Sequence, residues 1–356
     1  MSVSLENILY SARRFKASDI HLIAGLPPTW RVNGEILVAD AEPFSEAELR
    51  NLITGQLNEE QKCVLHEKMA LCYSRNIKEL GRFRITIYYR NGSPEMAIRT
   101  CSDQILARTE LGLPATVDQL LEKPSGLILV TGPTGSGKTT TLNYMIDSIN
   151  SSRKCKIITI EDPIEYVHYH KKSLVVQQEL YTDVTSFNAG LVHILRQDPD
   201  VIGIGEMRNY DTIATALTAA ETGHLVIATL HTSSVTQTVE RIVDVFPPEQ
   251  QPQISLQLAN SLQGIITQQL LPTIDKKSRV LAYEMIVIDN AARNIIRGNE
   301  SYKLYSLLET GSKRGTVTMD SSLCALYEKG LISYDTMLSK ATHADSIRHK
   351  YNRSEV

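Results

Sequence analysis

Gly132-Pro133-Thr134-Gly135-Ser136-Gly137-Lys138-Thr139 fits the pattern G-x-x-x-x-G-K-[ST] without a mismatch. The apolar run Gly126 to Thr131 precedes it, and a segment with Leu142, Met145, Ile146 and Ile149 at helical spacing follows it. Strand, loop and helix thus stand in the order that a phosphate-binding loop requires. Its glycines let backbone N–H groups curl around phosphate oxygens at a helix N-terminus, whose dipole favours negative charge. Thr134, Gly135, Ser136, Gly137, Lys138, Thr139 and Thr140 are therefore the candidate nucleotide-binding residues. Lys138 is placed to reach the β- and γ-phosphates of ATP, and the Thr139 hydroxyl to bind Mg²⁺. The bland alternative, a glycine-rich turn with an incidental lysine, does not explain the flanking strand and helix.

Outward from this loop, buried-type strands alternate with amphipathic helices. Strands are expected at Gly126 to Thr131, Lys156 to Ile160, Leu174 to Gln177, Asp200 to Ile204 and Leu225 to Leu230. Such alternation implies an α/β core with a parallel sheet covered on both faces. Upstream, residues 1–100 form a small α+β domain. A helix is expected over Leu5 to Phe15, short strands at Asp19 to Ile23 and Thr29 to Val32, and a capped helix from Ser45 with Glu48 three residues on. Arg82-Phe83-Arg84-Ile85-Thr86-Ile87 alternates, with Phe83, Ile85 and Ile87 on one face and Arg82 and Arg84 on the other. The Asn91-Gly92 turn joins it to a second strand around Met96 to Thr100, so Arg84 and Arg99 share a solvent-facing side while Ile98 faces the core. Residues 101–113 read as a linker, 114–288 as the ATPase core and 289–356 as a C-terminal helical region.

Three further clusters lie in the core. Glu161-Asp162-Pro163-Ile164-Glu165 follows one strand after the loop, and carboxylates at the end of a parallel strand border the ligand crevice. Taken alone it reads equally as a solvated acidic turn. Asp200-Val201-Ile202-Gly203-Ile204-Gly205-Glu206 is a buried strand with Glu206 at its end, where many P-loop enzymes carry an Asp that serves Mg²⁺. A carboxylate there orients or deprotonates the attacking water, or helps hold the metal's water shell. His224 and His231 flank the last expected strand. His224 reads as structural about as well as functional, and His231, at the C-terminal strand end, is placed to sense the γ-phosphate.

Bulk properties exclude other classes. Lys plus Arg is 37 against 40 Asp plus Glu, a formal net charge of -3, so no global attraction to nucleic acid or anionic membrane exists. The first ten residues lack the basic start and apolar run of a signal peptide, and no apolar stretch is long enough to span a bilayer. A cytoplasmic location is expected. Cys63, Cys72, Cys101, Cys155 and Cys324 are odd in number and form no C-x-x-C pair, which points to reduced, mostly buried thiols.

Together the blocks resemble the secretion-ATPase superfamily, with its Walker A, Asp box, atypical Walker B ending in Glu, and His box. Within it the resemblance narrows further to the type IV pilus retraction ATPases, over nearly the whole length of the chain. The motifs that carry this are Ala17-Ser-Asp-Ile-His-Leu22, Gly81-Arg-Phe-Arg84, Leu195-Arg-Gln-Asp-Pro-Asp200, Gly205-Glu-Met-Arg208, Ala219-Ala-Glu-Thr-Gly-His224, Asp244-Val-Phe-Pro-Pro248 and Gln257-Leu-Ala-Asn-Ser-Leu-Gln-Gly264. The resemblance implies an N-terminal PAS-like domain joined to a RecA-like ATPase domain. It implies a homohexamer that works at the inner face of the cytoplasmic membrane, on the inner-membrane pilus platform protein, with peripheral membrane association through such partners. It also implies that arginines of the N-terminal domain complete the ATP site, at Arg84 and Arg99 here, with Arg82 a third. Glu206 then looks like the catalytic glutamate and Glu165 like the Asp-box residue near the metal water.

Ala291-Ala-Arg-Asn-Ile-Ile-Arg297 resembles a retraction signature of the family, with Arg293 and Arg297 on one helix face and Gly298 ending the helix. Departures from the family pattern fall at Ala292, Gly298, Gly203, Asn209 and Val192 and spare every Walker and Asp-box residue. The alternatives are an accessory retraction ATPase, a pilus-extension or type II or type IV secretion ATPase, a nucleic-acid translocase, and a nucleotide-gated scaffold. Extension and type II motors usually add N-terminal domains and a four-cysteine zinc site, neither of which is seen here.

Overall fold

The computed structural model of the chain describes residues 4–32, 34–101, 104–311 and 315–352. The first three residues of the segment read for a signal peptide, and Ser102 and Asp103 of the expected linker, lie outside the described residues. The chain divides into two compact units. One comprises Met1–Ile105, Ile160–Tyr169 and Gln177–Gly190; the other comprises Leu106–Thr159, His170–Val176 and Leu191–Val356. The first unit therefore takes in the acidic cluster around Glu165, which the sequence reading assigned to a continuous core over 114–288.

In the first unit, β1 (Asp19–Leu22), β2 (Thr29–Val32), β3 (Glu35–Val38), β4 (Ala70–Ile77), β5 (Gly81–Arg90) and β6 (Ser93–Thr100) form one antiparallel sheet in the order β3-β2-β1-β6-β5-β4. The alternation in β5 decides its faces: Phe83, Ile85 and Ile87 are fully buried, because successive side chains in a strand point to opposite sides. Asn91 and Gly92 both have positive φ, 50° and 78°, the geometry that a two-residue hairpin turn demands. The register then sets Arg84 directly opposite Arg99, and Ser74 opposite Arg84 on the other side. Helices Leu5–Arg14, Glu46–Thr54 and Glu59–Lys68 supply Ile8, Leu9, Leu49, Ile53 and Leu65 to the same core. The expected cap is present: the Ser45 hydroxyl accepts from the Glu48 N–H, and the Glu48 carboxylate accepts from the Ser45 N–H.

The second sheet contains β7 (Gly126–Thr131), β8 (Lys156–Glu161), β9 (Leu174–Glu179), β10 (Val201–Ile204), β11 (Leu225–Leu230), β12 (Leu262–Pro272) and β13 (Arg279–Val287), in the order β13-β12-β7-β11-β10-β8-β9. β10, β11, β7 and β12 pair in parallel, and β13 runs antiparallel to β12. The last residues of β8 and β9 count with the first unit. The sequence reading ended its strands at Leu230. It missed β12 and β13 because Gln263, Gln268 and Gln269 break the apolar run that marks the other strands.

The C-terminal helices are present: Asn290–Arg297, Leu304–Thr310, Met319–Glu328, Tyr334–Lys340 and Ala344–Asn352. Leu323, Ile332, Met337 and Ile347 pack against Leu271 and Ala282 of the β12–β13 hairpin. The buried Glu284 of β13 accepts hydrogen bonds from the first N–H groups of two helices, Val235 and Met319. Arg293 and Arg297 lie on one face, as expected. They grip the C-terminal end of helix Gln251–Ser261, Arg293 through the carbonyls of Ala259 and Asn260 and Arg297 through the Asn260 side chain. All five cysteines are free thiols, but only Cys101 and Cys324 are buried; Cys63 is exposed and Cys72 and Cys155 are half-buried, a correction to the mostly buried set expected.

Candidate nucleotide-binding and catalytic site

β7 ends at Thr131 and the helix Lys138–Ser152 begins seven residues on. The loop between them turns on three positive-φ glycines: Gly132 at 141°, Gly135 at 78° and Gly137 at 92°. A side chain on Gly132 would overlap the Gln268 carbonyl oxygen of β12. Pro133, Thr134 and Gly135 are exposed, and Thr139 and Thr140, in the first helical turn, are half-buried. Ser136 is buried with its hydroxyl unpartnered. A buried hydroxyl without a partner is costly, and in a loop that presents its backbone at a helix N-terminus a phosphate oxygen is the fitting acceptor.

Lys138 is only 8 % exposed. Its ammonium donates to the carbonyls of Gly132 at 2.8 Å and Pro133 at 3.0 Å, and to His231 Nδ1 at 3.3 Å. Because an ammonium only donates, Nδ1 of His231 is the acceptor, and the ring proton sits on Nε2. His231 Nε2 lies 2.9 Å from Glu206 Oε1. Arg208 closes on the same carboxylate with both arms of its fork, Nε to Oε1 at 2.7 Å and Nη2 to Oε2 at 2.8 Å. Lys138, His231, Glu206 and Arg208 thus form a chain of alternating donors and acceptors at the C-terminal ends of β7, β10 and β11. Burial pulls the Lys138 ammonium below its ordinary range, with Glu206 opposing. Burial pushes the Glu206 carboxyl up, but Arg208 and His231 together outweigh it, and the group is held below the ordinary glutamate range.

A cavity of about 840 Å³ opens beside the loop. Ser136, Gly137 and Thr140 line one side, and Leu270, Arg279 and Tyr283 of the β12–β13 hairpin another. Its volume suits a nucleoside-sized ligand. These hairpin residues gave no signal in the sequence, since no motif links them to a loop more than a hundred residues upstream.

The first unit carries the other predicted residues. Arg84 Nη1 lies 2.9 Å from Glu165 Oε1, and Arg84 Nε is 3.4 Å from Cys72 Sγ. Arg99, opposite it in the sheet, donates from Nε to Asp19 Oδ1 at 3.0 Å and is 67 % exposed. Arg82 is turned to a different use, with Nε on the Ile164 carbonyl and Nη2 on Glu179. His224, left open between two roles, binds the Ala219 carbonyl at 3.0 Å and so closes the end of helix Tyr210–Glu221.

Loop, strand ends and sheet define a P-loop nucleotide-binding protein. The chain belongs to the type II/IV secretion system protein family, whose model matches residues 100–331. Among curated relatives it is 42 % identical to the type IV pilus retraction ATPase PilT of Pseudomonas aeruginosa, over 94 % of this chain and 97 % of that one. It is 41 % identical to the twitching motility protein of Neisseria gonorrhoeae, over 91 % of this chain and 87 % of that one. The crystal structure of the pilus retraction motor PilT with bound ADP superposes with a TM-score of 0.87 at 44 % identity, covering 96 % of this chain and 97 % of that one.

Proposed function

We propose that this chain is an ATPase, and that it works as a homohexameric motor for type IV pilus retraction. The observation that carries the catalytic part is Glu206, a carboxylate kept ionised by Arg208 and His231 and linked through His231 to the Lys138 ammonium of the phosphate loop. The whole-length similarity to a retraction ATPase supports the motor assignment.

In this reading the backbone of residues 134–140 and Lys138 hold the phosphates, and the cavity beside Leu270 and Tyr283 takes the base and ribose. Mg²⁺ would be held by the Thr139 hydroxyl, with Glu165 and Glu206 on its water shell, and would neutralise phosphate charge. Glu206 takes the proton of the attacking water, and His231 reports γ-phosphate occupancy by choosing between Lys138 and Glu206. Arg84 and Arg99 supply forked cations, which stay charged and match phosphate oxygens. The proposed partner is the inner-membrane pilus platform protein, reached from the cytoplasmic side; among the described residues no helix is long and apolar enough to cross a membrane. No nucleic-acid partner is proposed.

Steady-state phosphate release tests the chemistry: Glu206→Gln is expected to lower kcat about 10²- to 10⁴-fold while the protein still retains nucleotide. Deletion of the gene, expected to give hyperpiliated cells that do not twitch, tests the motor assignment. Wild-type twitching after deletion would reject it.

A further inference from the structure

Glu179 is a charged side chain only 2 % exposed, and nothing in the proposed chemistry uses it. It belongs to the first unit and stands at the end of β9. Oε1 accepts from the Ser74 N–H at 2.7 Å and from the Thr182 hydroxyl at 3.4 Å. Oε2 accepts from Arg82 Nη2 at 2.9 Å, from the Ile164 N–H at 3.0 Å and from the Ser74 hydroxyl. A buried carboxylate persists only when it is paired and its lone pairs are filled. Here every donor comes from this one unit, and the donors sit on β4, β5, the acidic loop and the turn after β9.

The decisive partner is Ile164, the residue before Glu165. Its N–H goes to Glu179, and its carbonyl accepts from Arg82 Nε at 2.6 Å. Both polar groups of one residue are thereby held by the two halves of a single ion pair. The acidic loop can neither slide nor rotate at Ile164 without giving up a charge-assisted bond. One residue on, Glu165 meets Arg84 at 2.9 Å. Arg84 lies two residues from Arg82 on the same face of β5. The two arginines divide the work: Arg82 holds the backbone of the loop, and Arg84 meets its carboxylate.

We propose that Glu179, through its ion pair with Arg82, is a positioning residue for ATP hydrolysis that aims the Glu165 carboxylate. This rests on the ATPase reading above. Arg82 then belongs to the scaffold and not to the phosphate-binding set.

The test is a double-mutant cycle on the full chain, with phosphate release and binding of a fluorescent ADP analogue as readouts. A misplacement of about 1 Å costs about 10²-fold in rate, so Glu179→Gln should lower kcat by at least about tenfold while analogue affinity stays within about threefold. In a Glu165→Gln background the same change should lower kcat no further, since its effect passes through Glu165. A wild-type rate for Glu179→Gln overturns the proposal, and so does an equal loss in both backgrounds, which marks a general structural role. If Glu179→Gln does not fold, Arg82→Lys, which keeps the charge and loses the fork, enters the same cycle with the same criteria. Wild-type protein that releases no phosphate sinks the ATPase reading and this proposal together. Active wild type with an inert Glu206→Gln and an unaffected Glu179→Gln sinks this proposal alone.

Discussion

Arg208 meets Glu206 through both Nε and Nη2, and that pairing sets how the proposed catalytic carboxylate answers to pH. Glu206 is held below the glutamate reference of 4.5. A carboxyl with a lowered folded-state value keeps its base form as pH falls through the ordinary range. Its contribution to stability is present above 4.5 and is lost only as pH drops through the lowered value. The kcat–pH profile of the wild type should therefore show no loss of Glu206 base between pH 8 and pH 5. Arg208→Ala removes two of the bonds that, together with His231, outweigh burial, so the carboxyl should rise and the acid limb of the profile should move to higher pH. An unmoved limb would show that Glu206 is not the titrating base. Lys138 differs in kind. Its ammonium already sits on two loop carbonyls, so Lys138→Ala removes the proposed phosphate ligand and a brace of the loop at once. Equilibrium dialysis should show nucleotide affinity weakened at least about tenfold, the cost of a charged hydrogen bond of 1.5–3 kcal/mol.

Strand β10 shows what the elements contribute. Gly203 is one of the positions where the sequence reading finds a departure from the pattern that the chain resembles, and a side chain there would meet Thr159 Cγ2 at 2.8 Å and Ile146 Cδ1 at 3.3 Å. The space is filled from β8 and from the loop's helix instead. Gly203→Ala should overpack this seam at a cost of about 1–3 kcal/mol, which at roughly 2–4 °C per kcal/mol is a measurable fall in Tm. Adding Thr159→Ser, which removes the clashing methyl, should restore much of it; no recovery would place the strain elsewhere. The same element scale explains what could be read from sequence. The phosphate loop was legible because strand, glycines, lysine and helix are contiguous. The Arg84–Arg99 pairing was legible because alternation and one Asn-Gly turn fix a hairpin register. The work of Arg82 was not, because its partner Glu179 lies 97 residues away and strand alternation says only which face a side chain takes. Hairpin β12–β13 was missed because Gln268, fully buried, is held by Thr141, a partner that no local pattern reveals.

At the scale of the molecule, Glu284 ties the C-terminal helices to the second sheet. It sits under the first N–H groups of helices Val235–Asp244 and Met319–Glu328, and burial pushes its carboxyl above the reference of 4.5. A raised folded-state value means that the group costs stability as pH climbs through it and costs nothing below the unfolded value. Glu284→Gln keeps an oxygen for the two helix ends and removes the buried charge. Thermal denaturation should show the variant gaining on the wild type at pH 7.5 and losing that gain by pH 4; a gain that is flat with pH would mean that charge is not the cause. The smaller unit has a different lesson. Its polypeptide returns twice, at Ile160–Tyr169 and Gln177–Gly190, to seat Glu179 among Ser74 and Arg82. Residues 1–105, expressed by themselves, would leave the Arg82 guanidinium facing solvent where its counter-charge should be. Recombination between relatives that transplants this segment as a cassette must carry those two later passages with it, so inheritance of the front of the chain is bound to inheritance of its middle.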